Sequence, residues 1–307
     1  MEPLKIVFMG SPEFAVPSLN ALSVSNHEIL TVVSNPDKRR GRGEEPTPTS
    51  VKRSALELNL PVMDVDDVQT DLFLQKLKEL EPDLLVIVAF RILPPEVLEI
   101  PKYGSINLHA SLLPKYRGAA PIHWAIIQGE SETGCTVFFL NEKVDTGQII
   151  GQISTSIGLM ETTGDLYERL KIIGSELLVK CVDQIASGDV NVISQNDKEA
   201  TPAPKLYKEN TRIDFSKNAL SVHNFVRGLN PFPKAWCNYD GQKMNIYETE
   251  PVSDKKMNPG TLRVEEGRLY AGCGEGAVLL KKLQLPGTKV MSGEEFINGY
   301  NINLKLR

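Results

Sequence analysis

The feature that most constrains the fold is an uninterrupted apolar run in the first third of the chain, Leu84–Phe90 (LLVIVAF). Because every side chain in it is apolar, the run lacks the alternation of a strand with one solvated face. Its length favours a strand that is buried on both faces. Such strands belong to parallel sheets covered by helices on both sides. The run therefore predicts an α/β fold whose strands are joined through helices.

Strand-like and helix-like runs alternate around it. A β run at Leu4–Met9 precedes a short helical pattern at Pro12–Leu22, for which Ser11 is the expected N-cap, and a second β run follows at Ile29–Ser34. We expect further helices at 51–60, 70–80 and 122–129 and further strands at 62–65, 105–109, 135–140 and 148–155. The pattern predicts a Rossmann-like, mostly parallel sheet with helices on both faces.

A long helix is expected to close this α/β part. Thr162 with Asp165 three residues later forms a capping-box pattern, and the apolar periodicity that follows stops at Gly188. The periodicity then breaks down over Val190–Lys208, which contains TPAP. We accordingly predict a domain at 1–189, a linker at 190–208 and a second domain at 209–307.

The first strand-to-helix turn does not favour a dinucleotide. It has a single glycine, Gly10, followed by Ser11, Pro12 and the acidic Glu13. A dinucleotide-binding turn has three glycines, which let the backbone approach a pyrophosphate. In an open α/β sheet the ligand still binds beyond the carboxyl ends of the strands. We therefore expect a ligand other than NAD at that edge.

Two polar side chains stand at such an edge. Asn107 and His109 are two residues apart on the predicted strand, so they face one side while Leu108 faces the other. An amide donor beside an imidazole that titrates near neutrality suits a carbonyl group that develops negative charge. The spacing alone also fits a structural histidine, so the pair is a candidate for oxyanion and acid/base chemistry.

The segment around this pair, SINLHASLLPKYRGAAP at Ser105–Pro121, resembles the signature of the folate-dependent formyltransferases. The resemblance implies 10-formyltetrahydrofolate as the formyl donor, no metal, and a third catalytic residue in a later loop. Asp145 in NEKVDTG matches that residue, although an Asp before Thr-Gly is by itself an ordinary turn residue. The resemblance further implies a folate pocket lined by Phe90, Ile92, Leu93, Ser111, Leu112, Leu113, Pro114 and Val137.

A long basic loop is expected before the helix at 51–60. Asn35–Ser50 holds four basic residues among glycines, prolines and threonines. By its length the loop is either a solvated surface segment or a binding element, and its arginines suit phosphate groups. In methionyl-tRNA formyltransferases the matching loop enters the acceptor arm of the tRNA, and this resemblance implies that Arg42 contacts tRNA. The following Glu44 and Glu45 depart from the more basic form of that loop.

The C-terminal hundred residues have the pattern of a small β domain. A helical segment at Leu220–Gly228 leads to five β runs separated by Gly and Asn turns, which predict an OB-like β-barrel. These runs are 235–239, 244–249, 260–265, 268–271 and 278–284. RIDFSK and HNFVRGLNPFPKAW resemble the C-terminal domain of methionyl-tRNA formyltransferases, which implies tRNA binding, with a dimerisation or capping role as the alternative. We expect Phe232 and Trp236 to be core aromatics rather than base-stacking ones.

Charge is divided unevenly along the chain. Residues 1–208 have 20 basic and 28 acidic side chains, whereas residues 209–307 have 14 and 11, so the net charge goes from −8 to +3. Only the C-terminal part has a charge balance that suits a nucleic-acid partner.

Two further features bound the class of protein. The apolar run at the N-terminus is too short, and lacks the basic start, for a signal peptide or a membrane span, so we expect a cytoplasmic protein that does not bind membranes. Four isolated cysteines without a C-x-x-C pair argue against a disulfide framework and a zinc site, and favour buried thiols.

These resemblances imply an enzyme that transfers a formyl group from 10-formyltetrahydrofolate to the amino group of methionine on initiator methionyl-tRNA. We expect it to be a monomer, although no feature of the sequence gives the oligomeric state. The alternatives are a sugar-nucleotide formyltransferase, a glycinamide ribonucleotide formyltransferase and an inactive folate-binding module. A glycinamide ribonucleotide enzyme has no need of the C-terminal domain. A sugar-nucleotide enzyme would give the arginine-rich loop no phosphate chain to follow.

Overall fold

The computed structural model of the chain describes residues 2–39 and 45–307. Backbone contacts divide the chain into two compact units, each built from three segments. The first unit comprises residues up to 118, 134–155 and 167–202. The second comprises 119–133, 156–166 and 203–307.

A seven-stranded sheet forms the first unit. Its strands are β1 (Lys5–Gly10), β2 (Glu28–Ser34), β3 (Val62–Asp64), β4 (Leu84–Val88), β5 (Ser105–His109), β6 (Glu132–Phe139) and β7 (Ile149–Ser156). They lie in the order β3-β2-β1-β4-β5-β6-β7. Neighbours from β3 to β5 are parallel, whereas β6 runs antiparallel to β5. The predicted mostly parallel α/β sheet is confirmed.

Helices follow most of these strands. They are α1 (Val16–Ser23), α2 (Ser50–Glu57), α3 (Asp71–Glu79), α4 (Pro95–Leu98), α5 (Pro121–Ile127) and α6 (Thr163–Ser187). Thr49 and Thr70 cap α2 and α3 with their hydroxyl groups, which satisfies a backbone N–H in each first turn. The predicted capping box of α6 is confirmed, because Asp165 Oδ2 accepts from the Thr162 N–H at 3.0 Å and Thr162 Oγ1 accepts from the Asp165 N–H at 3.3 Å.

The apolar run that predicted the fold lies in the middle of the sheet. All five residues of β4 are buried between β1 and β5. The strand stops at Val88, two residues before the predicted end, because Ala89 has the left-handed φ of +49° and cannot continue it. On one face the strands pack against α3, α4 and the segment before α4, in a core formed by Val7, Met9, Val33, Phe73, Leu77, Leu85, Ile87, Leu93 and Val97.

The prediction that Ser11 caps the first helix is wrong. The chain makes a 3₁₀ turn at Glu13–Ala15 before α1, and neither Ser11 nor Pro12 caps it with a side chain. The Ser11 hydroxyl instead accepts the N–H of Asn35 at 3.1 Å and lies 3.3 Å from the Ser34 hydroxyl. Its role is therefore to tie the carboxyl end of β1 to that of β2.

The second unit is an antiparallel β domain. It contains α7 (Ala219–Gly228), β8 (Ala235–Tyr239), β9 (Gln242–Val252), β10 (Leu262–Glu265), β11 (Arg268–Gly272), β12 (Ala277–Gln284), β13 (Met291–Ser292) and α8 (Gly293–Gly299). The strand order is β10-β11-β12-β9-β8, and β13 pairs with β12. The C-terminal β domain is thus confirmed, while sequence reasoning missed the short β13 and α8.

The C-terminal segment joins the two ends of that strand order. Arg307 and Asn238 of β8 exchange backbone hydrogen bonds of 2.5 and 3.0 Å. One residue earlier, the Leu306 N–H donates to Gly260 at 2.7 Å, beside the start of β10, and Lys305 forms a bridge with Thr261. These bonds pair an otherwise open edge at each end and give the sheet a barrel-like closure.

The expectation that Phe232 is a core aromatic is wrong. Its side chain is 73% exposed, because it lies between two prolines in the turn before β8 rather than on a strand. Trp236 is half-buried and donates its Nε1–H to the Lys208 carbonyl at 3.0 Å. The buried aromatics of this core are Phe215, Tyr239 and Phe296, and the Phe296 ring stacks on Tyr300 with centroids 4.9 Å apart.

Candidate active site

Two polar side chains lie at the carboxyl half of β5. Asn107 stands opposite Ile87 of β4 and Phe138 of β6, and His109 stands opposite Thr136. Asn107 is half-buried and His109 is 6% exposed. The two positions share one face of the strand, as the period of two requires. The sheet therefore fixes their spacing through backbone hydrogen bonds on both sides.

His109 is held between two oxygen atoms. Its Nε2 lies 2.9 Å from the carbonyl oxygen of Tyr116, and its Nδ1 lies 3.7 Å from Oδ2 of Asp145. A carbonyl oxygen only accepts, so Nε2 carries the proton in the first contact. The second distance is too long for a direct hydrogen bond, so Asp145 lies beside the ring without bonding to it directly.

Asp145 is placed by an uncommon backbone conformation. Its φ is +54°, in the left-handed region that Asp adopts more readily than most residues. The side chain is almost buried, and its Oδ2 accepts the N–H of Gly118 at 2.8 Å. Strained positions of this kind cluster at functional sites. These contacts place the Asp145 carboxylate beside His109, as required of a candidate third residue of the site.

The residues expected to line a folate pocket fall into two groups. Phe90 and Leu93 pack on the core beside β4, whereas Leu113 packs with Phe138 beyond β5. The side chains that keep exposed surface are Phe90, Ile92, Leu112 and Pro114, with Ile92 at 76%. Ser111, Leu113 and Val137 are buried, and Leu93 is 7% exposed, so these four side chains offer little surface to a ligand.

Arg42 lies outside the described residues. The parts of the 35–50 loop on either side of it are tied to the first unit. Lys38 and Thr47 exchange backbone hydrogen bonds, and Lys52 at the start of α2 forms ion pairs of 2.7 Å with Asp37 and Asp64. These hydrogen-bonded contacts raise the pKa of Lys52.

Four residues next to the site were missed by sequence reasoning. They are Tyr116, Gly118, Gln195 and Thr201, which act through backbone groups or lie in the segment predicted as a linker. Backbone donors and acceptors leave no trace in residue type. A polar residue in a Pro-rich segment looks like any other loop residue, so no signal in the sequence marked Gln195 or Thr201. Tyr116 and Gly118 lie in the Ser105–Pro121 signature, but no role was assigned to them.

The four cysteines are free and buried. Burial raises the pKa of Cys135, Cys181 and Cys237 to about 12 and that of Cys273 to about 11, which makes them unreactive near neutral pH. No cluster of three His, Cys, Asp or Glu side chains suited to a metal occurs among residues 2–39 and 45–307.

Comparison with known families matches both parts of the chain. The model described as "Formyl transferase" matches residues 4–182, and the one described as "Formyl transferase, C-terminal domain" matches residues 205–301. The chain belongs to the formyl transferase family. Asn107, His109 and Asp145 all lie in the part matched by the first model, and the predicted family membership is confirmed.

Individual relatives agree with this assignment. A Chlorobium luteolum protein named methionyl-tRNA formyltransferase is 45% identical over 304 residues, which covers 97% of each chain. An N-formyltransferase from Helicobacter canadensis, solved with folinic acid and dTDP-3-aminofucose, aligns at a TM-score of 0.69 with 22% identity over 90% of this chain and 98% of that one. HypX from Aquifex aeolicus with tetrahydrofolic acid aligns at 0.65 with 18% identity over 99% and 51%. The two structures show a shared fold.

Proposed function

We propose that this formyl transferase moves the formyl group of 10-formyltetrahydrofolate to the amino group of methionine on initiator methionyl-tRNA. The observation that carries the proposal is the 45% identity, over 97% of both chains, to a relative named for that reaction. The similarity includes the C-terminal domain as well as the part that holds the candidate site. The partners are then a folate co-substrate and a tRNA acceptor.

The chemistry requires an oxyanion to be stabilised and a proton to be moved. The neutral amine attacks the formyl carbon, and the carbonyl electron pair moves onto the oxygen. The tetrahedral species collapses when the bond to the folate nitrogen breaks, and a proton lost by the amine ends on that nitrogen. Asn107 donates a hydrogen bond to the developing oxyanion, and His109 stabilises it either through the charge of a protonated ring or through an Nε2–H that leaves the Tyr116 carbonyl. Asp145 orients His109 and helps move the proton, directly or through a water molecule.

The folate is placed by the apolar side chains around the site. Phe90, Ile92, Leu112 and Pro114 offer exposed apolar surface to the donor, whereas Ser111, Leu113, Leu93 and Val137 are buried. An apolar surface with a few polar groups is what a flat aromatic ligand requires. Arg42 contacts the acceptor end of the tRNA in this proposal.

The alternative acceptors have less support. The sugar-related structural match is 22% identical, against 45% for the methionyl-tRNA relative. A likeness at that level is a likeness of fold, and fold alone does not fix the acceptor. A glycinamide ribonucleotide acceptor would also leave the C-terminal domain, matched at residues 205–301, without a role.

Organisation and location complete the proposal. No helix in the described ranges, 2–39 and 45–307, is long and apolar enough to cross a membrane. We propose that the protein is cytoplasmic, because translation initiation takes place in the cytoplasm. We also propose that it is a monomer. We keep the boundaries 1–189, 190–208 and 209–307 for the catalytic domain, the linker and the tRNA-binding domain.

Turnover with defined acceptors tests this function. The purified protein and 10-formyltetrahydrofolate are incubated in parallel with initiator methionyl-tRNA, elongator methionyl-tRNA, glycinamide ribonucleotide and a dTDP-amino sugar. We expect formylation of the initiator substrate at the highest kcat/KM, and loss of that activity in a His109→Ala control. Preferred formylation of either small acceptor would contradict the proposal.

A further inference from the structure

The segment predicted as a linker begins by packing across two loops of the first unit. Ile193 and Ile149 exchange backbone hydrogen bonds of 2.8 and 2.9 Å. Eight residues later, the Thr201 hydroxyl accepts the N–H of Tyr116 at 2.9 Å, and the Thr201 carbonyl accepts the N–H of Arg117 at 2.9 Å. The segment 193–201 is therefore pinned at both ends, beside the residues that hold His109 and Asp145.

Gln195 lies in the middle of this segment and uses both ends of its amide. Its Nε2 donates to the carbonyl oxygens of Asp145 at 3.0 Å and Gly147 at 2.8 Å. Its Oε1 accepts from Nε of Arg117 at 3.1 Å and from Nη2 of the same side chain at 2.8 Å. Gln195 is half-buried, whereas the flanking Ser194 and Asn196 are exposed.

These contacts join the two loops that define the candidate site. The turn Tyr116–Gly118 supplies the carbonyl that holds His109 and the N–H that holds the Asp145 carboxylate. Arg117 is the middle residue of that turn, and its guanidinium group donates to Gln195 and, through Nη2, to Oδ1 of Asp197 at 2.8 Å. Gln195 thereby connects this turn to the backbone that carries Asp145.

We propose that Gln195 is a positioning residue for formyl transfer: its amide ties the Tyr116–Gly118 turn to the Asp145–Gly147 loop and so sets the separation of His109 and Asp145. The inference rests on the proposed function. It goes further by assigning a role to a residue of the predicted linker. A misplacement of about 1 Å in a catalytic constellation costs on the order of 10²-fold in rate.

The role requires an amide rather than a carboxylate. A glutamate could still accept from Arg117, but it could not donate to the two carbonyl oxygens and would repel them. The Asp145–Gly147 loop is also packed closely against β6, because a Cβ on Gly147 would lie 1.6 Å from the Phe139 carbonyl oxygen. Loss of the amide donors therefore removes the two hydrogen bonds that hold the Asp145 and Gly147 carbonyls, so we expect the position of Asp145 to change.

The test compares Gln195→Glu and Gln195→Met with Ser194→Ala, an exposed neighbour, in the full chain. We expect both Gln195 variants to lower kcat by about 10-fold to 10²-fold while KM for each substrate changes less than about 3-fold. In the Asp145→Asn background, Gln195→Met should cause almost no further loss of kcat, because both changes act on the same carboxylate. Normal kcat in both variants, or full additivity with Asp145→Asn, would overturn the proposal.

A second measurement separates this proposal from the proposed function. The ¹⁵N NMR signals of the His109 ring report its contact with Asp145 without any turnover. We expect them to shift in both Gln195 variants and to be unchanged in Ser194→Ala. A wild-type enzyme that formylates no tRNA would refute the proposed function, yet the NMR shift would still support positioning. Unshifted His109 signals in folded variants, checked by circular dichroism, would overturn the positioning role alone.

Discussion

At the residue scale, the candidate chemistry depends on three side chains. Asn107→Ala or His109→Ala removes a donor to the developing oxyanion, so we expect turnover to fall by about 10²-fold or more while folate affinity changes little. Asp145→Asn should lower turnover as well, because an amide cannot act on the imidazole as a carboxylate does. Single-turnover rates and folate fluorescence titrations measure the two effects. Near-normal turnover in a folded variant would contradict the assigned role.

A different histidine should make the second unit sensitive to acid. His223 is 3% exposed, between the Thr249 hydroxyl at 3.1 Å and the Leu159 carbonyl at 3.2 Å. Burial, opposed by these hydrogen bonds, lowers its pKa below 6.5. The unfolded chain therefore binds a proton that the folded one does not, so the free energy of unfolding should fall as pH drops below about 6.5.

Urea unfolding between pH 5 and 8 measures this dependence. In His223→Gln the loss of stability below about pH 6.5 should be smaller than in the wild type, because the substituted side chain does not titrate. The dependence should not vanish, since burial also lowers the pKa of His123. Identical pH profiles for the variant and the wild type would show that His223 has no part in acid sensitivity.

The residues of the candidate site differ in how far the sequence alone predicts them. The strand period places Asn107 and His109 together without any structure, because their spacing follows from backbone geometry alone. Asp145 reaches His109 through a left-handed backbone 36 positions later, and only the resemblance to a family pointed to it. Gln195 acts through long-range contacts to backbone atoms, which no local pattern encodes.

At the element scale, local sequence patterns predicted most helices and strands. They missed short elements and side-chain roles that depend on tertiary contacts. Every strand of the sheet was expected, because apolar runs and alternation are local signals. The short α4, α8 and β13 were missed, because elements of two to seven residues carry too few periods to be seen. Ser11 looked like an N-cap but bonds to β2, a partner that only the fold brings near.

The loop that carries Asp145 should tolerate no side chain at Gly147. A Cβ there would lie 1.6 Å from the Phe139 carbonyl oxygen, so Gly147→Ala must displace the loop from β6. We expect a loss of stability of about 1 to 3 kcal/mol and a fall in kcat. Gly299→Ala is the matched control, because a Cβ at that position meets no atom within 4 Å. Equal melting temperatures and kcat for the two variants would contradict this view of the loop.

The loop at 35–50 has its own expected effect on acceptor choice. Arg42→Ala should spare most of the bulk tRNA affinity, because one contact among many is lost, but lower turnover and the preference for initiator over elongator tRNA. Parallel kcat/KM measurements on charged initiator and elongator tRNA give this preference. The control is Arg53→Ala, which removes a basic residue of α2. An unchanged preference would make the loop a solvated surface segment.

At the scale of the whole molecule, the two compact units interleave along the chain. Helix α5 belongs to the second unit, where it packs against α7, although it was predicted within the first domain. A Cβ on Gly228 of α7 would lie 2.6 Å from the Ile127 side chain, which shows how close the two helices come. Removing residues 209–307 would therefore expose the apolar face of α5. Tests of tRNA binding belong in the full chain.

The second unit groups basic and aromatic side chains that suit an RNA backbone. Trp236 lies between Arg212 and Lys243, with cation to ring-centre distances of 5.7 and 5.5 Å. Burial, followed by repulsion from Lys208 and Lys234, lowers the pKa of Lys243. Mutual repulsion of this kind is relieved when phosphate groups bind. We name Lys208, Lys234 and Lys243 the lysine cluster.

Neutralising the lysine cluster should weaken tRNA binding in a way that depends on salt. Each phosphate contact contributes about 0.7 to 0.9 to the slope of log Kd against log salt, so Lys→Gln at all three positions should flatten that slope by about 2 to 3. Folate affinity should not change. The control replaces Lys255, Lys281 and Lys282, which have the same total charge but are each paired with a glutamate. Such paired lysines are already neutralised, so their loss should leave the slope nearly unaltered. If the two triple variants bind tRNA with equal slopes, the contact depends on overall charge and not on this surface.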